Sequence, residues 1–326
     1  MVFYEIKKIF SKSSSKAALV FGGFMLCLTI YFAIGEVSYV DTEGEGTKGI
    51  VAARSLEKEK EKWKGELNVE HLQQVIRENH RVNQTPQAQS ENVRENNQAF
   101  GWKQGFSDIR ELLNKAFAGF QEYDYFLADS LTEEEVAQFY EKRTKSLKVW
   151  LEEEGGGAEQ FTTAEKDFLI RQYERMATPW YYESSDGFEA WFTWSPTVCM
   201  LVALMIGFLV SGIFSGEKRY HAASVYFASY HGRKKAVLAK IEAGIFTVTL
   251  LYWGTMLLYS GIVLGCLGVQ GSQCLIQTQF GNWKSFYEMT IGQEFLCILL
   301  GGYIGCLFFG SLTMLISAWS NSGTAA

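Results

Sequence analysis

Four long apolar stretches alternate with polar segments along the 326-residue sequence. The stretches are residues 17–40, 194–214, 241–269 and 295–319, and their only charged residues are Glu36 and Glu242. A helix rises about 1.5 Å per residue and the hydrocarbon layer is about 30 Å thick, so each stretch is long enough to cross a bilayer. The pattern predicts an all-α, polytopic membrane protein with four transmembrane helices.

The first stretch follows Lys7, Lys8, Lys12 and Lys16, as the apolar core of a secretory signal peptide follows basic residues. A signal core is about 7 to 15 residues long and ends at a small-x-small cleavage site. This stretch is longer, and no clean site of that kind comes before Glu36. We therefore expect an uncleaved membrane anchor.

The Lys and Arg residues are unevenly distributed between the polar segments. Residues 36–193 contain 31 Asp/Glu and 19 Lys/Arg, a net charge of −12, whereas the short segments 1–16 and 214–240 are basic. The Lys/Arg bias of short segments sets membrane orientation. We expect insertion in the cell membrane with the N-terminus inside. The predicted cytoplasmic segments are residues 1–16, 215–240 and 320–326, and the predicted outer segments are residues 41–193 and 270–294.

The outer segment between the first two stretches is too long to be a loop without structure. Thr132 with Glu135, and Thr162 with Glu165, have the spacing of capping boxes, and apolar residues at helical spacing follow each pair. A further amphipathic pattern begins at Ser107. Alternating β-branched runs are missing, so we predict a mostly helical domain.

Two stretches of the outer segment differ in pattern. Residues 57–80 are highly charged but carry Leu72, Val75 and Ile76 at helical spacing, which indicates a helix. Residues 83–98 are polar, contain a proline and lack periodicity. We expect the second stretch to be a mobile connector.

Aromatic residues are concentrated where the chain re-enters the membrane. They favour an interfacial belt at the outer boundary, where amphipathic rings prefer to lie. A lip that contacts substrate is the alternative. The residues are Trp180, Tyr181, Tyr182, Trp191, Phe192 and Trp194.

No catalytic or metal-binding pattern is present in the sequence. The "GEGTKG" at 44–49 lacks the spacing of a phosphate-binding loop, and no Cys-x-x-Cys pair or metalloprotease helix occurs. Glu36, Glu242 and Glu294 lie at the ends of the apolar stretches, where interfacial placement explains them. We expect no enzyme activity, no metal and no cofactor.

Two pairs of glycines have the small-x3-small spacing that lets helices approach closely in lipid. They are Gly261 with Gly265 and Gly301 with Gly305. We predict that these residues pack helices together, a role common to many polytopic proteins.

The segment between the second and third stretches is the most specific feature. From Ser211 it reads "SGIFSGEKRYHAASVYFASYHGRKKAVLAKIEAGIF", in which an aromatic piece lies between two basic clusters. A topology signal explains the basic residues alone. An aromatic amphipathic piece can in addition lie on the membrane surface or insert into a cleft of a soluble partner.

At these residues the sequence resembles a permease subunit of the ABC-2 type family of ATP-binding-cassette transporters. The resemblance covers the first span, the large outer insertion, the span ending near Phe214, the Glu-Lys-Arg turn and "GRKKAVLAK". In that family the corresponding cytoplasmic segment contacts the ATPase subunit. By resemblance, the coupling candidates are Glu217, Arg219, Tyr226, Tyr230, Arg233, Lys234, Lys235 and Lys240.

The resemblance implies that ATP is hydrolysed on a separate cytoplasmic ATPase subunit. It also implies a second permease copy or a related permease as partner, together with membrane lipid, and no nucleic acid. The sequence departs from the family at His221, Ala222 and His231, where a glycine and a proline are common. Members usually have six spans, whereas this sequence has four apolar stretches of that length.

Two other classes of function remain alternatives. One is a membrane-anchored ligand-binding or sensor protein that acts through a partner, since residues 214–240 are too short for an effector domain. The other is an intramembrane enzyme, which the lack of polar pairs within the spans disfavours. The acidity of the outer segment favours cationic molecules, such as peptides or amphiphiles, by screened long-range attraction.

Overall fold

The computed structural model describes residues 1–153, 156–219, 228 and 234–320. Four helices within these residues are long and apolar enough to cross a membrane. The protein is therefore an all-α, multi-pass membrane protein, which confirms the predicted fold class.

Helices make up most of the described part of the chain. In chain order they are α1 (Val2–Ser11), α2 (Ser13–Gly35), α3 (Ile50–Glu61), α4 (Val69–Asn83), α5 (Val93–Lys103), α6 (Ser107–Phe117), α7 (Leu127–Ser130), α8 (Glu133–Val136), α9 (Phe139–Glu152), α10 (Thr163–Arg175), α11 (Asp186–Val210), α12 (Ser215–Arg219), α13 (Lys235–Leu267) and α14 (Ile291–Trp319). Short 3-10 helices lie at Gln104–Phe106, Ile276–Thr278 and Phe280–Asn282.

The candidate spans α2, α11, α13 and α14 do not begin and end where the apolar stretches do. The first candidate span, α2, ends at Gly35, so the predicted end of this span at residue 40 is wrong. Ser38–Val40 forms a strand instead. The other three begin earlier than predicted, at Asp186, Lys235 and Ile291. Hydropathy marks only the apolar part of a helix, and these helices continue through polar residues at their ends.

The chain divides into two units. The membrane unit comprises Met1–Ile34, Ala190–Cys266 and Phe295–Ala326, and the helical domain comprises Gly35–Glu189 and Leu267–Glu294. The helical domain is thus discontinuous in sequence, because the segment between α13 and α14 belongs to it.

Strands are a minor part of the described residues. Ser38–Val40 (β1) pairs antiparallel with Gly46–Lys48 (β2), and Gly65–Glu66 (β3) pairs antiparallel with Tyr181–Tyr182 (β4). The second pair joins the residues between α3 and α4 to the residues that precede α11. The predicted helical character of this domain is confirmed.

Both predicted capping boxes are present. The Thr132 hydroxyl accepts from the Glu135 amide, and the Glu135 carboxylate accepts from the Thr132 amide at 2.9 Å. Thr162 and Glu165 make the same pair of hydrogen bonds at the start of α10. Each box satisfies two backbone donors that a helix N-terminus leaves without intrahelical partners.

The core of the helical domain is built from α4, α6, α9 and the segment Leu267–Glu294, which we call the returning segment. Leu72, Val75 and Ile76 are buried, as their spacing on α4 predicted. The same core contains Trp180 and Trp283, whose ring centroids are 5.5 Å apart. A tryptophan from the segment between α13 and α14 therefore lies in the middle of a core formed mostly by residues 67–182.

Arg143 holds the returning segment against this core. Its guanidinium donates to the carbonyl oxygens of Trp283 at 3.2 Å and Ser285 at 2.9 Å, and lies 3.8 Å from the ring centroid of Tyr173. Burial lowers the pKa of Arg143 to about 10. Two backbone acceptors and an aromatic face thus stabilise a cation that has little contact with water.

The expected connector at residues 83–98 is only partly irregular. Its second half begins α5, where the Asn92 side chain accepts from the Arg94 amide at 2.9 Å. The prediction of a mobile connector is wrong for residues 93–98. The helix was missed because its polar residues carry no regular apolar stripe, while its N-terminus is stabilised by a local cap.

The expected aromatic belt is wrong for three of its six residues. Trp180 and Tyr182 are buried in the core of the helical domain, and Trp191 is buried in the membrane unit. The Trp191 indole donates to the Ser260 hydroxyl at 3.0 Å, and the Tyr259 hydroxyl donates to the Trp191 carbonyl at 3.1 Å. Composition alone does not distinguish these packed rings from interfacial ones.

Candidate functional site

Four charged residues of the membrane unit form a group around a buried ammonium, which we call the ion cluster; they are Glu5, Lys8, Glu217 and Lys240. The Lys240 ammonium lies 2.8 Å from a carboxylate oxygen of Glu5 and 3.1 Å from one of Glu217. Lys8 forms an ion pair with the same oxygen of Glu217. The Lys240 side chain is only 1% exposed, whereas that of Lys8 is 32% exposed, so the cluster is buried at Lys240 and reaches the surface at Lys8.

Three helices contribute to the ion cluster, and their sequences explain how they meet. Glu5 and Lys8 are three residues apart on α1 and so share one face of that helix. On α13 the residues before and after Lys240 on the buried face are small: Ala236, Ala239 and Ala243 are all buried. Small side chains permit the close approach that a lysine needs to reach carboxylates on neighbouring helices.

Among the described side chains, the ion cluster contains two ammonium groups and two carboxylates. Removing water from charged groups is costly, and only close opposite charges offset that cost. Loss of a single partner leaves an uncompensated buried charge, which destabilises a protein by about 3–5 kcal/mol. The contacts therefore hold α1 against the facing ends of α12 and α13.

The junction between α11 and α12 has a second anchor. The Ser317 hydroxyl on α14 accepts from the Phe214 amide at 3.3 Å and the Ser215 amide at 3.2 Å. Both serines are fully buried. The hydroxyl satisfies donors in the turn that separates the two helices. Both helices that flank residues 220–233 are thus fixed to other helices of the membrane unit, α12 through Glu217 and α13 through Lys240.

The structure brings together two of the eight coupling candidates, Glu217 and Lys240. Lys234 and Lys235 are exposed at the start of α13, outside the ion cluster. Arg219 is the last residue of α12. The position of the Arg219 side chain, and the whole of residues Tyr226, Tyr230 and Arg233, lie outside the described part of the chain.

Sequence reasoning missed Glu5, Lys8 and Ser317. Glu5 offered a signal, because it is the single acidic residue among the first 35 and lies in a basic segment. Its burial on a short helix that precedes a span was not apparent from hydropathy. Ser317 carried no signal, since serine is common within transmembrane helices.

The four glycines predicted to pack helices do not pack against another helix in the described part of the chain. Gly261, Gly265, Gly301 and Gly305 are exposed, and among the described residues no atom of another helix lies within 4 Å of the place where a Cβ would stand. Other glycines make the close approaches. They are Gly22 against Met205, Gly207 against Phe309, Gly244 against Met314, Gly302 against Tyr252 and Gly310 against Val248.

A second buried polar group, the Lys60 cluster, lies in the helical domain. It consists of Lys60, Asp108, Tyr182, Ser184 and Asp186. The Lys60 ammonium lies 2.7 Å from Asp108 and 2.6 Å from Asp186. The Tyr182 hydroxyl donates to Asp108 at 2.7 Å, and the Ser184 hydroxyl donates to Asp186 at 2.8 Å. These contacts join α3, α6 and the first residue of α11.

Burial and pairing act in opposite directions on the Lys60 cluster. Burial alone lowers the pKa of Lys60 and raises that of Asp108. The opposite charges outweigh burial, so the pKa of Lys60 lies above its ordinary value and that of Asp108 below. Both residues are therefore charged near neutral pH, and the Lys60 ammonium joins the carboxylates of Asp108 and Asp186.

A cleft of about 430 Å³ opens on the helical domain. Its walls include the aromatic residues Tyr39 and Trp102, three carboxylates and one guanidinium; the charged residues are Asp41, Glu59, Glu78 and Arg81. Burial raises the pKa of Tyr39, and the nearby carboxylates of Glu59 and Asp41 raise it further. The effect of the carboxylates indicates a negative potential around the Tyr39 hydroxyl. The cleft offers carboxylates and partly exposed rings to a cation.

The described residues contain no group of three or more His, Cys, Asp or Glu side chains placed to hold a metal ion. No family model, curated protein or solved structure matches the chain. The case for a function therefore depends on the geometry of this chain and on its sequence pattern.

Proposed function

We propose that this chain is a permease subunit of an ABC transporter of the ABC-2 type, which forms the membrane pathway and couples to a separate ATPase subunit. Its N-terminus and residues 215–240 face the cytoplasm, and the helical domain lies outside the cell membrane. The uneven distribution of Lys and Arg supports this orientation. Export of, or resistance to, a peptide or amphiphile is the function that we infer.

The observation that carries the proposal is the ion cluster at the helix ends next to residues 220–233. A partner that contacts those residues exerts force on α12 and α13. Because Lys240 joins Glu217 to Glu5, the force is passed to α1 and through it to α2. Coupling by packed, ion-paired elements is one way in which interfaces transmit motion.

The test is affinity purification of the full-length chain from its native membrane in mild detergent, with mass spectrometry of the accompanying proteins. We expect a soluble subunit that carries a Gly-x4-Gly-Lys-Ser/Thr loop. Reversing the charge of Arg233, Lys234 and Lys235 to Glu is expected to remove it. The control is Lys145→Glu, an exposed change on α9.

Two results contradict the proposal. One is the recovery of no nucleotide-binding partner from membranes in which the chain is folded. The other is full retention of the partner in the charge-reversed protein, which assigns the basic residues to topology alone. Recovery of a kinase in place of an ATPase favours the sensor hypothesis.

A second candidate function is extracytoplasmic binding of a ligand, as a sensor or as the entry to a transport pathway. The cleft between Tyr39 and Trp102 favours it, because carboxylates beside partly exposed rings suit an organic ammonium or guanidinium group. We expect calorimetric binding of a short oligoarginine peptide to the purified chain, weakened by salt.

Matched variants separate this binding from the general acidity of the domain. Trp102→Leu and Glu78→Gln are expected to weaken it. Phe100→Leu, an exposed aromatic change on the same helix as Trp102, is expected to have no effect. Glu70→Gln, on the same helix as Glu78, removes the same charge outside the cleft. Equal losses in all four variants exclude the cleft as a site.

A further inference from the structure

Two lysines of the helical domain, Lys115 on α6 and Lys284 on the returning segment, lie over aromatic rings, and we call them the lysine pair. The Lys115 ammonium lies 4.1 Å from the ring centroid of Phe280 and 4.9 Å from that of Tyr123. The Lys284 ammonium lies 5.2 Å from the ring centroid of Phe120. Because cations are attracted to the face of a ring, these contacts hold both ammonium groups in place at the junction of α6 and the returning segment.

The lysine pair has no counter-charge of its own. Among the described residues neither ammonium forms an ion pair, and Lys284 donates to a neutral acceptor, the side-chain oxygen of Gln121, at 2.9 Å. Burial lowers the pKa of Lys284, and the positive charge of Lys115 lowers it further. Glu111, one turn before Lys115 on α6, lies 3.7 Å from the Arg110 guanidinium. An anion that contacts both ammonium groups would relieve their repulsion.

This concentration of positive charge is an exception in the helical domain. Residues 36–193 have a net charge of −12, and Lys284 is the only Lys or Arg among residues 267–294. A purely structural role would place a carboxylate beside each ammonium, as the Lys60 cluster does. The fold instead brings together two like charges that are distant in sequence. Charges that perturb each other in this way are a feature of binding sites.

The returning segment places the lysine pair near the ends of two spans. It connects the end of α13 at Leu267 to the start of α14 at Ile291. The side-chain amide of Asn282 donates to both carboxylate oxygens of Glu294, at 3.2 and 3.0 Å, and Glu294 is in the first turn of α14. Lys284 is two residues from Asn282, so it lies close to the level at which α14 enters the membrane. Lipid headgroups lie at this level.

We infer that the lysine pair binds the phosphate of an anionic phospholipid in the leaflet next to the helical domain. A phosphate diester has two free oxygens, one for each ammonium, and charge-assisted contacts of this kind are strong. Phe280 and Tyr287 on the same segment are 46% and 59% exposed, and such rings favour the headgroup region. A soluble phosphate ester matches the two ammonium groups but gains nothing from these rings. The lipid headgroup is therefore the ligand that fits both features.

The experiment is photocrosslinking of the full-length chain in phosphatidylcholine nanodiscs that contain a small fraction of phosphatidylglycerol with a photoreactive headgroup. Peptide mass spectrometry then locates the attached lipid. We expect attachment within residues 115–123 and 280–287. The double variant Lys115→Gln with Lys284→Gln is expected to weaken binding about 25-fold, from about fivefold for each basic residue near an anionic headgroup.

The control removes the same charge elsewhere in the helical domain. Lys48→Gln with Lys58→Gln changes two exposed lysines, on β2 and α3, and is expected to leave the attachment unchanged. Phe280→Leu is expected to reduce the attachment, whereas Phe100→Leu, which changes an equally exposed ring on α5, is not. Thermal midpoints check that every variant is folded.

Two further arms test the charge and the source of the phosphate. Phosphatidylcholine with the same photoreactive group is expected to attach much less at these residues, and an excess of soluble glycerol 3-phosphate is expected not to compete. Equal attachment of the two lipids overturns the inference, and so do equal losses in the two double variants. Full competition by glycerol 3-phosphate assigns the lysine pair to soluble phosphate esters and overturns the lipid assignment.

Discussion

At the scale of single residues, Lys60 is expected to be a determinant of the stability of the helical domain. The change Lys60→Met keeps most of the side-chain volume but leaves Asp108 and Asp186 without their counter-charge. Loss of one partner of a buried ion pair costs about 3–5 kcal/mol in free energy of unfolding. Urea unfolding measures it, with Lys58→Met, an exposed change on the same helix, as the control. A loss no larger than that of the control contradicts the prediction.

The pH dependence of the same variant gives an independent prediction. Asp108 has a folded pKa below its ordinary value of 3.8, so its stabilising effect is present above that value and is lost as pH falls through the lowered pKa. Without Lys60, burial raises the carboxylate pKa instead, and protonation in acid relieves the repulsion. The difference in free energy of unfolding between wild type and Lys60→Met is therefore expected to shrink from about pH 7 to about pH 4. A difference that does not change with pH contradicts this account.

At the scale of helices, adjacent glycines on α14 are expected to respond oppositely to the same substitution. A Cβ on Gly302 would lie 2.5 Å from the hydroxyl oxygen of Tyr252, which is buried and donates to the Leu299 carbonyl. Gly302→Ala is expected to destabilise the chain by about 1–3 kcal/mol, the range for overpacking. Gly301→Ala faces open space and is expected to be neutral or stabilising by up to about 1 kcal/mol, from helix propensity. Thermal midpoints in one detergent compare the two, and equal shifts contradict the packing seen at Gly302.

Local signals predicted the elements that depend on local contacts. The capping boxes at Thr132 and Thr162 needed only a hydroxyl and a carboxylate three residues apart, and both formed. Four apolar stretches predicted four spanning helices, because length and hydropathy are local quantities. The rotation of each helix about its own axis decides whether a given glycine faces another helix. The small-x3-small spacing therefore pointed to Gly301 and Gly305, and the close contact is at Gly302.

The ion cluster was predicted only in part, because most of its contacts join residues that are distant in sequence. Glu217 and Lys240 were predicted as contacts of an ATPase subunit, and the structure pairs them with each other, a contact that the prediction did not include. Glu5, the other carboxylate that pairs with Lys240, is more than two hundred residues away in sequence. Buried rings such as Trp180 and Trp191 likewise have partners that are distant in sequence, which is why they were expected at the interface. Pairing over such distances leaves no periodic signal in a single sequence.

At the scale of the whole molecule, the helical domain is made from two chain segments that α11 and α13 separate. The segment between α13 and α14 contributes Trp283, whose ring lies 5.4 Å from Phe139 and 5.5 Å from Trp180. The backbone of the same segment accepts two hydrogen bonds from Arg143. A domain built from residues 36–189 alone would expose these apolar rings and leave the Arg143 guanidinium without its acceptors.

The two segments approach each other closely where they leave the spans. A methyl group built on Gly187 would overlap the carbonyl oxygen of Gly268, so a linker of about six Gly and Ser residues is long enough to join residue 189 to residue 267. We expect residues 36–189 joined in this way to residues 267–294 to unfold in one cooperative transition.

Residues 36–189 alone lose the buried Trp283. Truncating a buried tryptophan to alanine already costs about 3–5 kcal/mol. Residues 36–189 alone are expected to bind a hydrophobic dye and to unfold without a clear midpoint. The joined protein carrying Trp283→Ala is the control for the linker, and it is expected to unfold at lower urea than its parent. If residues 36–189 alone are as stable as the joined protein, the returning segment is not part of the domain's core and the Arg143 contacts are incidental.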